Sequence, residues 1–332
     1  MEISPTAAEK IRRLLGGLQD HVVAHLGEAR RRGRRDFARV SAQTASDTIY
    51  RVDRISEAAV EAWLERHWPR AWPIEIVMEG REAGATFPRG RRPDQTLFKL
   101  ILDPIDGTRN LMYDKRSAWA LAAVAPQRGE RNGLGDLAVA VMTELPVGKQ
   151  SLADRFSAVR GRGRAGLRAE RIDLATGRRK RLAVAPSTAS DCRGGFASVV
   201  RFFPEAKGLL GAFEEELWRR LYSATPPIFE DQYLSTGGQI YELLVGHDRM
   251  IADLRPLAYR KLGLDRSLVC HPYDICTALI LEEAGGVVEG PDGRPLSAPL
   301  DAVSPVAWVG YANRKLARHI GPVMRKLIKE MF

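Results

Sequence analysis

The sequence predicts a mixed protein, α+β in its first half and α/β in its second, and three observations carry that expectation. Apolar residues recur at helical spacing through the first thirty positions. Strand-like segments then follow one another between about residues 74 and 142 in the manner of an antiparallel sheet. Near residues 182–186 the pattern changes to alternating helices and strands.

Ala7, Ile11, Leu14, Leu15, Leu18 and Val22 place one apolar stripe on a long helix over about residues 6–31. A second helix is expected after Asp53 from Ile55, Ala59, Val60, Trp63 and Leu64. Strands are expected near 74–78 and 96–102, and Trp119 to Val124 and Leu137 to Met142 add two more. Ser187 to Gly195 is small and polar and reads as a surface connection, so the boundary is placed just before it. The two expected domains are 1–185 and 186–332. In the second, Asp274 opens a helix carrying Ile275, Ala278, Leu279 and Leu281, which ends at Gly285-Gly286. A last strand spans about 306–311, and residues 313–331 close the chain as a helix.

With 332 residues and 45% hydrophobic content the chain can bury one large core or two modest ones. No run of roughly eighteen apolar residues is present, which excludes a transmembrane helix. Met1-Glu2-Ile3-Ser4-Pro5 lacks the basic-then-apolar order of a signal peptide, and three cysteines cannot all pair, so a cytoplasmic setting is expected. Cys270 and Cys276 lack a convincing metal-thiolate spacing and read as packing residues.

The chemistry concentrates in Leu102-Asp103-Pro104-Ile105-Asp106-Gly107-Thr108-Arg109-Asn110. Pro104 fixes its own φ and biases Asp103 toward an extended conformation, so the strand should stop there. Gly107 permits a tight turn. Two carboxylates and a carbonyl at a strand end form the hard-oxygen pocket that Mg²⁺ prefers, and amides just beyond suit a phosphate. Taken alone, the run is also an ordinary Asx-type turn, and Asp274 is also a plain helix N-cap.

Asp103 to Asn110, read with Tyr273-Asp274 and the closing Glu283-Ala284-Gly285-Gly286, resembles the inositol monophosphatase family of Mg²⁺-dependent, lithium-sensitive phosphatases. The family's first signature, D-P-[IL]-D-G-T-x-N, is matched in full. Its second opens with W-D-x-A, where this chain has Tyr273 for Trp and Cys276 for Ala, and the run to the closing motif is about one residue shorter. Leu234-Ser235-Thr236-Gly237-Gly238 is similar to the family's S-x-G segment, and Gly246 to Asp253 to the strand that follows it. Together these span about Asp53 to Ala312.

The resemblance implies a layered αβαβα sandwich, commonly dimeric, that hydrolyses a small phosphate monoester by metal-activated water. It implies that Glu79, Asp103 and the Ile105 carbonyl hold one Mg²⁺, and that Asp103, Asp106 and Asp274 hold a second. Asp53 and Glu79 would position the water and a weaker third ion, and Thr108 would orient that water. Phosphate would be bound by the Gly107 and Thr108 amides, with Asp106, Ser235, Gly237 and Gly238 at the substrate wall, and Li⁺ would inhibit. Asp53 is equally a helix N-cap, and Glu82 competes with Glu79 for the metal role.

Substrate choice is less constrained. Inositol-hydrolysing members carry a glutamate seven residues before the second-motif aspartate, where this chain has Ser267, beside Arg266. With Arg109, Lys115 and Arg116 near the mouth, a more anionic ester such as a sugar bisphosphate (fructose 1,6-bisphosphate included) or a nucleotide competes with the default inositol or sugar phosphate. The net charge of +10 owes much to Arg30 to Arg35 and to the stretch from Arg155 to Arg181. These segments read as solvated surface, or as a polyanion-binding face on a basic RNA- or protein-binding relative of the fold. Without interleaved aromatics they lack a base-stacking platform, so nucleic acid is the less favoured partner.

Overall fold

The computed structural model describes residues 3–32, 40–43, 48–80, 84–224, 226–264 and 268–332. In chain order, helix α1 (Pro5–Arg32), the short strands β1 (Val40–Gln43) and β2 (Thr48–Tyr50) and helix α2 (Arg51–His67) come first. Strands β3 (Ile74–Met78), β4 (Ala85–Phe87) and β5 (Phe98–Asp106) follow, then α3 (Thr108–Met112) and β6 (Ala118–Pro126). The first half ends with β7 (Val139–Leu145), β8 (Leu152–Val159), β9 (Arg168–Asp173) and β10 (Arg179–Arg181). The second half comprises β11 (Phe196–Val199), α4 (Lys207–Leu221), α5 (Thr236–Leu244), β12 (Asp248–Asp253) and α6 (Arg255–Lys261). It closes with α7 (Pro272–Ile275), α8 (Ala278–Ala284), β13 (Val287–Glu289), β14 (Trp308–Tyr311) and α9 (Arg314–Met331).

These elements stack in five layers, the αβαβα sandwich expected from the sequence. Helices α1 and α2 cover one face of an eight-stranded sheet ordered β10-β9-β8-β7-β6-β5-β3-β4. Helices α5, α7 and α8 lie on its other face, and α5 and α8 also meet a four-stranded sheet, β11-β12-β14-β13, whose far side carries α4 and α9. Pairing in the large sheet is antiparallel except where β3 meets β5.

The side-chain period of two divides each central strand between two cores. Leu100 and Leu102 join Ile11, Leu15, Leu18 and Leu64 beneath α1 and α2. Ile101, Trp119 and Leu121 join Ile240, Leu243, Leu279, Trp308 and Leu316 on the other side. Burying each such Leu or Ile contributes about 1.5–3 kcal/mol. One polar side chain registers α1 on the sheet: Gln19 Nε2 donates to the carbonyls of Ala120 at 3.0 Å and Val141 at 2.8 Å, and Thr143 Oγ1 donates to Gln19 Oε1 at 2.6 Å.

Three expectations require correction. Strand β5 does not stop at Pro104 but runs on to Asp106. It does so because the ladder with β6 is interrupted between Asp103↔Leu121 and Asp106↔Trp119, so the missing proline N–H costs no pairing. Helix α2 begins at Arg51, which puts Asp53 inside its first turn rather than at its cap. The single helix expected from Asp274 to Gly285 is two, broken at Cys276-Thr277, with a new turn closed by the Ile280 N–H on the Thr277 carbonyl at 2.9 Å.

Candidate metal and phosphate site

Carboxylates three residues apart on a regular strand would point to opposite faces. Here Pro104 and Ile105 stand opposite Ala120 alone, a bulge of two residues against one. The extra residue turns Asp106 back to the side of Asp103, which itself follows Ile101 onto the face covered by α7. Gly107 then adopts φ 95°, and a Cβ there would lie 3.0 Å from Ser235 Cβ and 3.1 Å from the Leu234 carbonyl. Both the conformation and the space therefore demand glycine. Helix α3 starts immediately afterwards, and Thr108 Oγ1 sits 3.0 Å from the Ile105 carbonyl and 3.1 Å from Asp53 Oδ1.

Asp106 is held by the start of α5. Ser235 Oγ donates to its Oδ2 at 2.8 Å, the Gly237 N–H to the same oxygen at 2.5 Å, and the Thr236 N–H to Oδ1 at 3.3 Å. Ser235 Oγ also accepts from the Gly238 N–H at 2.9 Å, the N-cap bond of the helix. A Cβ on Gly237 would lie 2.6 Å from Leu121 Cδ2 and 3.0 Å from Asp106 Oδ2, so glycine permits this approach. Ser235 lines the cavity, whereas the amides of Gly237 and Gly238 are committed to Asp106 and to the Ser235 side chain.

Asp274 arrives from the other side on α7, where its Oδ2 accepts from the His271 N–H at 2.7 Å. His271 stacks on Tyr273, with ring centroids 5.2 Å apart, and its Nδ1 shares a hydrogen bond with the Tyr273 hydroxyl at 3.2 Å. Carboxylate oxygens of Asp103, Asp106 and Asp274 thereby come within 4.8 Å of one another. Oxygens that share one Mg²⁺ sit about 2.1 Å from it, hence at most roughly 4.2 Å apart, so the cluster is close to that spacing.

Such crowding is electrostatically unfavourable without a cation. Burial first, and then Glu79, Asp106 and Asp274, raise Asp103 well above the usual carboxylate range. Asp106 is pushed up to about 7 by burial and then by Asp274, against the opposing pull of the Gly237, Ser235 and Thr236 donors. Every donor to this cluster leaves capacity for a cation, since a carboxylate offers about four lone-pair directions and a carbonyl two. The hard-oxygen donor set fits Mg²⁺.

A cavity of about 430 Å³ opens over these groups, and Asp53, Glu79, Ile105, Gly107, Thr108 and Arg109 line it as well. Glu82, Arg266 and Ser267 lie outside the described residues. Sequence reasoning missed four features of the lining. Glu57 stands one helical turn beyond Asp53, a spacing that alone could have flagged it. His271 orients Asp274. Arg255 is buried, donates to Asp253 Oδ1 at 2.8 Å and Oδ2 at 2.5 Å, and lies 4.5 Å from the Phe202 ring centre. Phe202, Leu268, Val269, Ala302 and Val303 form an apolar wall from three separate segments, which no local pattern announces.

Outside the cavity, much of the basic stretch is paired: Arg155 and Arg179 with Asp20, Arg171 with Asp154, and Arg160 with Glu282. Arg30 donates to the Pro146 carbonyl at 2.8 Å, and residues 33–35 lie outside the described set. All three cysteines are buried and free. Among the described residues, no helix is long and apolar enough to cross a membrane.

No protein-family model matches the chain, and no curated protein does. Solved structures match along nearly the whole length. Fructose-1,6-bisphosphatase from Leishmania major aligns at a TM-score of 0.67 and 15% identity, over 98% of this chain and 96% of that one. An inositol monophosphatase from Zymomonas mobilis aligns at 0.58 and 17%, over 97% and 99%. The extragenic suppressor protein SuhB from Bartonella henselae aligns at 0.59 and 18%, over 96% and 98%. The chain thus has the fold of the inositol monophosphatases and fructose-1,6-bisphosphatase.

Proposed function

We propose that this protein is a Mg²⁺-dependent phosphatase that hydrolyses a small phosphate monoester by direct attack of water. The observation that carries this reading is the meeting of Asp103, Asp106 and Asp274, from segments far apart in the chain, beside the Gly107-Thr108 turn. Three mutually repelling carboxylates, two of them buried and the third half-buried, are tolerable chiefly as a cation site. That argues against a relative that keeps only a binding surface.

Glu79, Asp103 and the Ile105 carbonyl would hold one Mg²⁺, and Asp103, Asp106 and Asp274 a second; Asp53 and Glu79 would contribute to a weaker third site at which Li⁺ sensitivity is expected. Bound divalent ions neutralise phosphate oxygens, acidify a water and stabilise the leaving oxygen. The protein supplies the positions. Thr108 Oγ, with Asp53 3.1 Å away to take its proton, orients the attacking water. The Gly107 and Thr108 amides hold the phosphoryl group, while Ser235 and Gly237 act through Asp106 by fixing its carboxylate. No covalent phosphoenzyme is needed.

An inositol or sugar phosphate is the default substrate. The Phe202 ring backed by the Arg255 guanidinium, with Val303 at the mouth, favours a second reading in which the leaving group carries a planar face, as a nucleotide does. A homodimer in the cytoplasm completes the proposal. The test is turnover of a panel of phosphate esters with and without Mg²⁺. Metal-dependent release of phosphate by wild type that vanishes in Asp103→Asn is expected, and a metal-independent rate, or none across the panel, would refute the reading.

A further inference from the structure

A second cavity lies at the far end of the large sheet. It is bounded by the first turns of α1, the end of β8 and the turn leading to β9, and its volume is about 150 Å³. Val159 in its wall connects across the ladder through Val139 and Val124 to Leu100, six residues before Asp106. At roughly 3.3 Å per residue along the strand and about 4.8 Å for each of the three strand-to-strand steps, that is about 24 Å from the acidic cluster.

Four arginines, Arg12, Arg160, Arg162 and Arg168, and one carboxylate, Glu9, line this space. Arg12 is only 8% exposed. Its Nη2 donates to the Gly166 carbonyl at 2.6 Å, and its Nε lies 3.4 Å from Glu9 Oε2. Its Nε and Nη1 have no hydrogen-bond acceptor among the described residues. Buried charged donors are ordinarily satisfied, and a guanidinium left short of acceptors beside a cavity lacks a ligand.

We propose that this cavity is an anion site that takes a tetrahedral oxyanion of the phosphate or sulfate class, with Arg12 at its back and Arg162 and Arg168 at its rim. The volume equals that of about five waters at roughly 30 Å³ each, so it suits the oxyanion itself rather than a whole nucleotide. The rim is pre-organised. The N–H groups of Gly161 and Arg162 donate to the Glu283 carboxylate at 2.7 and 3.0 Å, and that of Gly163 donates to it as well. Arg160 is held by the Leu137 carbonyl and Glu282. A turn braced in this way binds without first ordering itself. The proposal is independent of the phosphatase reading.

The test is calorimetric titration of the whole chain with inorganic phosphate in EDTA at fixed ionic strength. Stripped of cations, the acidic cluster repels phosphate, so binding reports on the arginines. One saturable site is expected, weakened about tenfold or more in Arg12→Gln and several-fold in Arg168→Ala, and unchanged in Asp103→Asn. Wild-type affinity in both arginine variants, loss in Asp103→Asn, or no saturable binding would overturn it. Should Arg12→Gln fail to fold by circular dichroism, Arg168→Ala at the exposed rim decides the question alone.

Discussion

Replacing Asp103 by Asn should stabilise the metal-free protein while destroying its activity. The amide oxygen keeps the bond that Asp103 Oδ1 accepts from the Ile105 N–H at 2.8 Å, and the new NH₂ faces carboxylates instead of repelling them. Two unit charges 4.8 Å apart at an effective dielectric near 20 repel by about 3 kcal/mol, so removing one should recover roughly that amount when its neighbour is ionised. The pH dependence follows from the raised carboxyls. A folded-state value above the unfolded one means stability fully present below about pH 4 and lost as the pH climbs through about 7. For Asp106 alone the shift from 3.8 to about 7 corresponds to roughly 4 kcal/mol. Urea unfolding in EDTA should therefore show wild type weakening from acid to mildly alkaline pH, and Asp103→Asn weakening less. At about pH 8 the variant should be ahead by about 2–3 kcal/mol. Mg²⁺ at about a hundredfold over its Kd should return about 2.7 kcal/mol to wild type and clearly less to the variant. Hydrolysis by the variant should fall about 10³-fold, near 4 kcal/mol of transition-state stabilisation. A variant less stable than wild type at alkaline pH in EDTA, with equal Mg²⁺ stabilisation of both, would refute this account of the cluster.

Ser235→Ala removes a donor to Asp106 and the acceptor of the Gly238 N–H; a loss of about 1–2 kcal/mol by denaturation and an upward shift of the acidic limb of the pH–rate profile are expected. Gly107→Ala forces a side chain into a left-handed position against Ser235, and should lower stability by more than about 1 kcal/mol and abolish turnover, as thermal unfolding and phosphate release would report. Arg109→Ala should raise KM more for a bisphosphate than for a monophosphate, while neutralising Arg178 and Arg181 should change neither; equal effects on both substrates would place Arg109 outside the recognition of the second phosphate.

The fold and the acidic cluster were legible to different depths for physical reasons. The stripe of Ile11, Leu15 and Leu18 fixed α1, because a period of 3.6 is written locally. The strand through Asp106 was cut short at Pro104, because a bulge is a property of two paired strands and only one of them is visible in a local run. Asp103 and Asp274 could be matched through motifs, yet their meeting depends on α7 docking against β5, which no window of sequence contains. Glu57 was within reach from its helical spacing to Asp53. The apolar wall was not, since Phe202, Leu268 and Val303 converge only in the folded chain. The arginines from 155 to 181 read as bare charge, because Asp20 stands far away in the sequence and Asp154 meets Arg171 only across the β8–β9 ladder.

Asp106 belongs to the large sheet, but the donors to its carboxylate, the Ser235 hydroxyl and the Thr236 and Gly237 N–H groups, come from the start of α5, and Asp274 comes from α7 in the same middle layer. The acidic cluster is therefore a joint between the large sheet and the helices packed on it, as well as the proposed reaction centre. On the proposed metal reading, cation affinity and the docking of those helices would form a single equilibrium, and an opening that parts them would release the ion. The Thr236 and Gly237 amides end on Asp106, so their hydrogen exchange gauges how firmly that joint is closed.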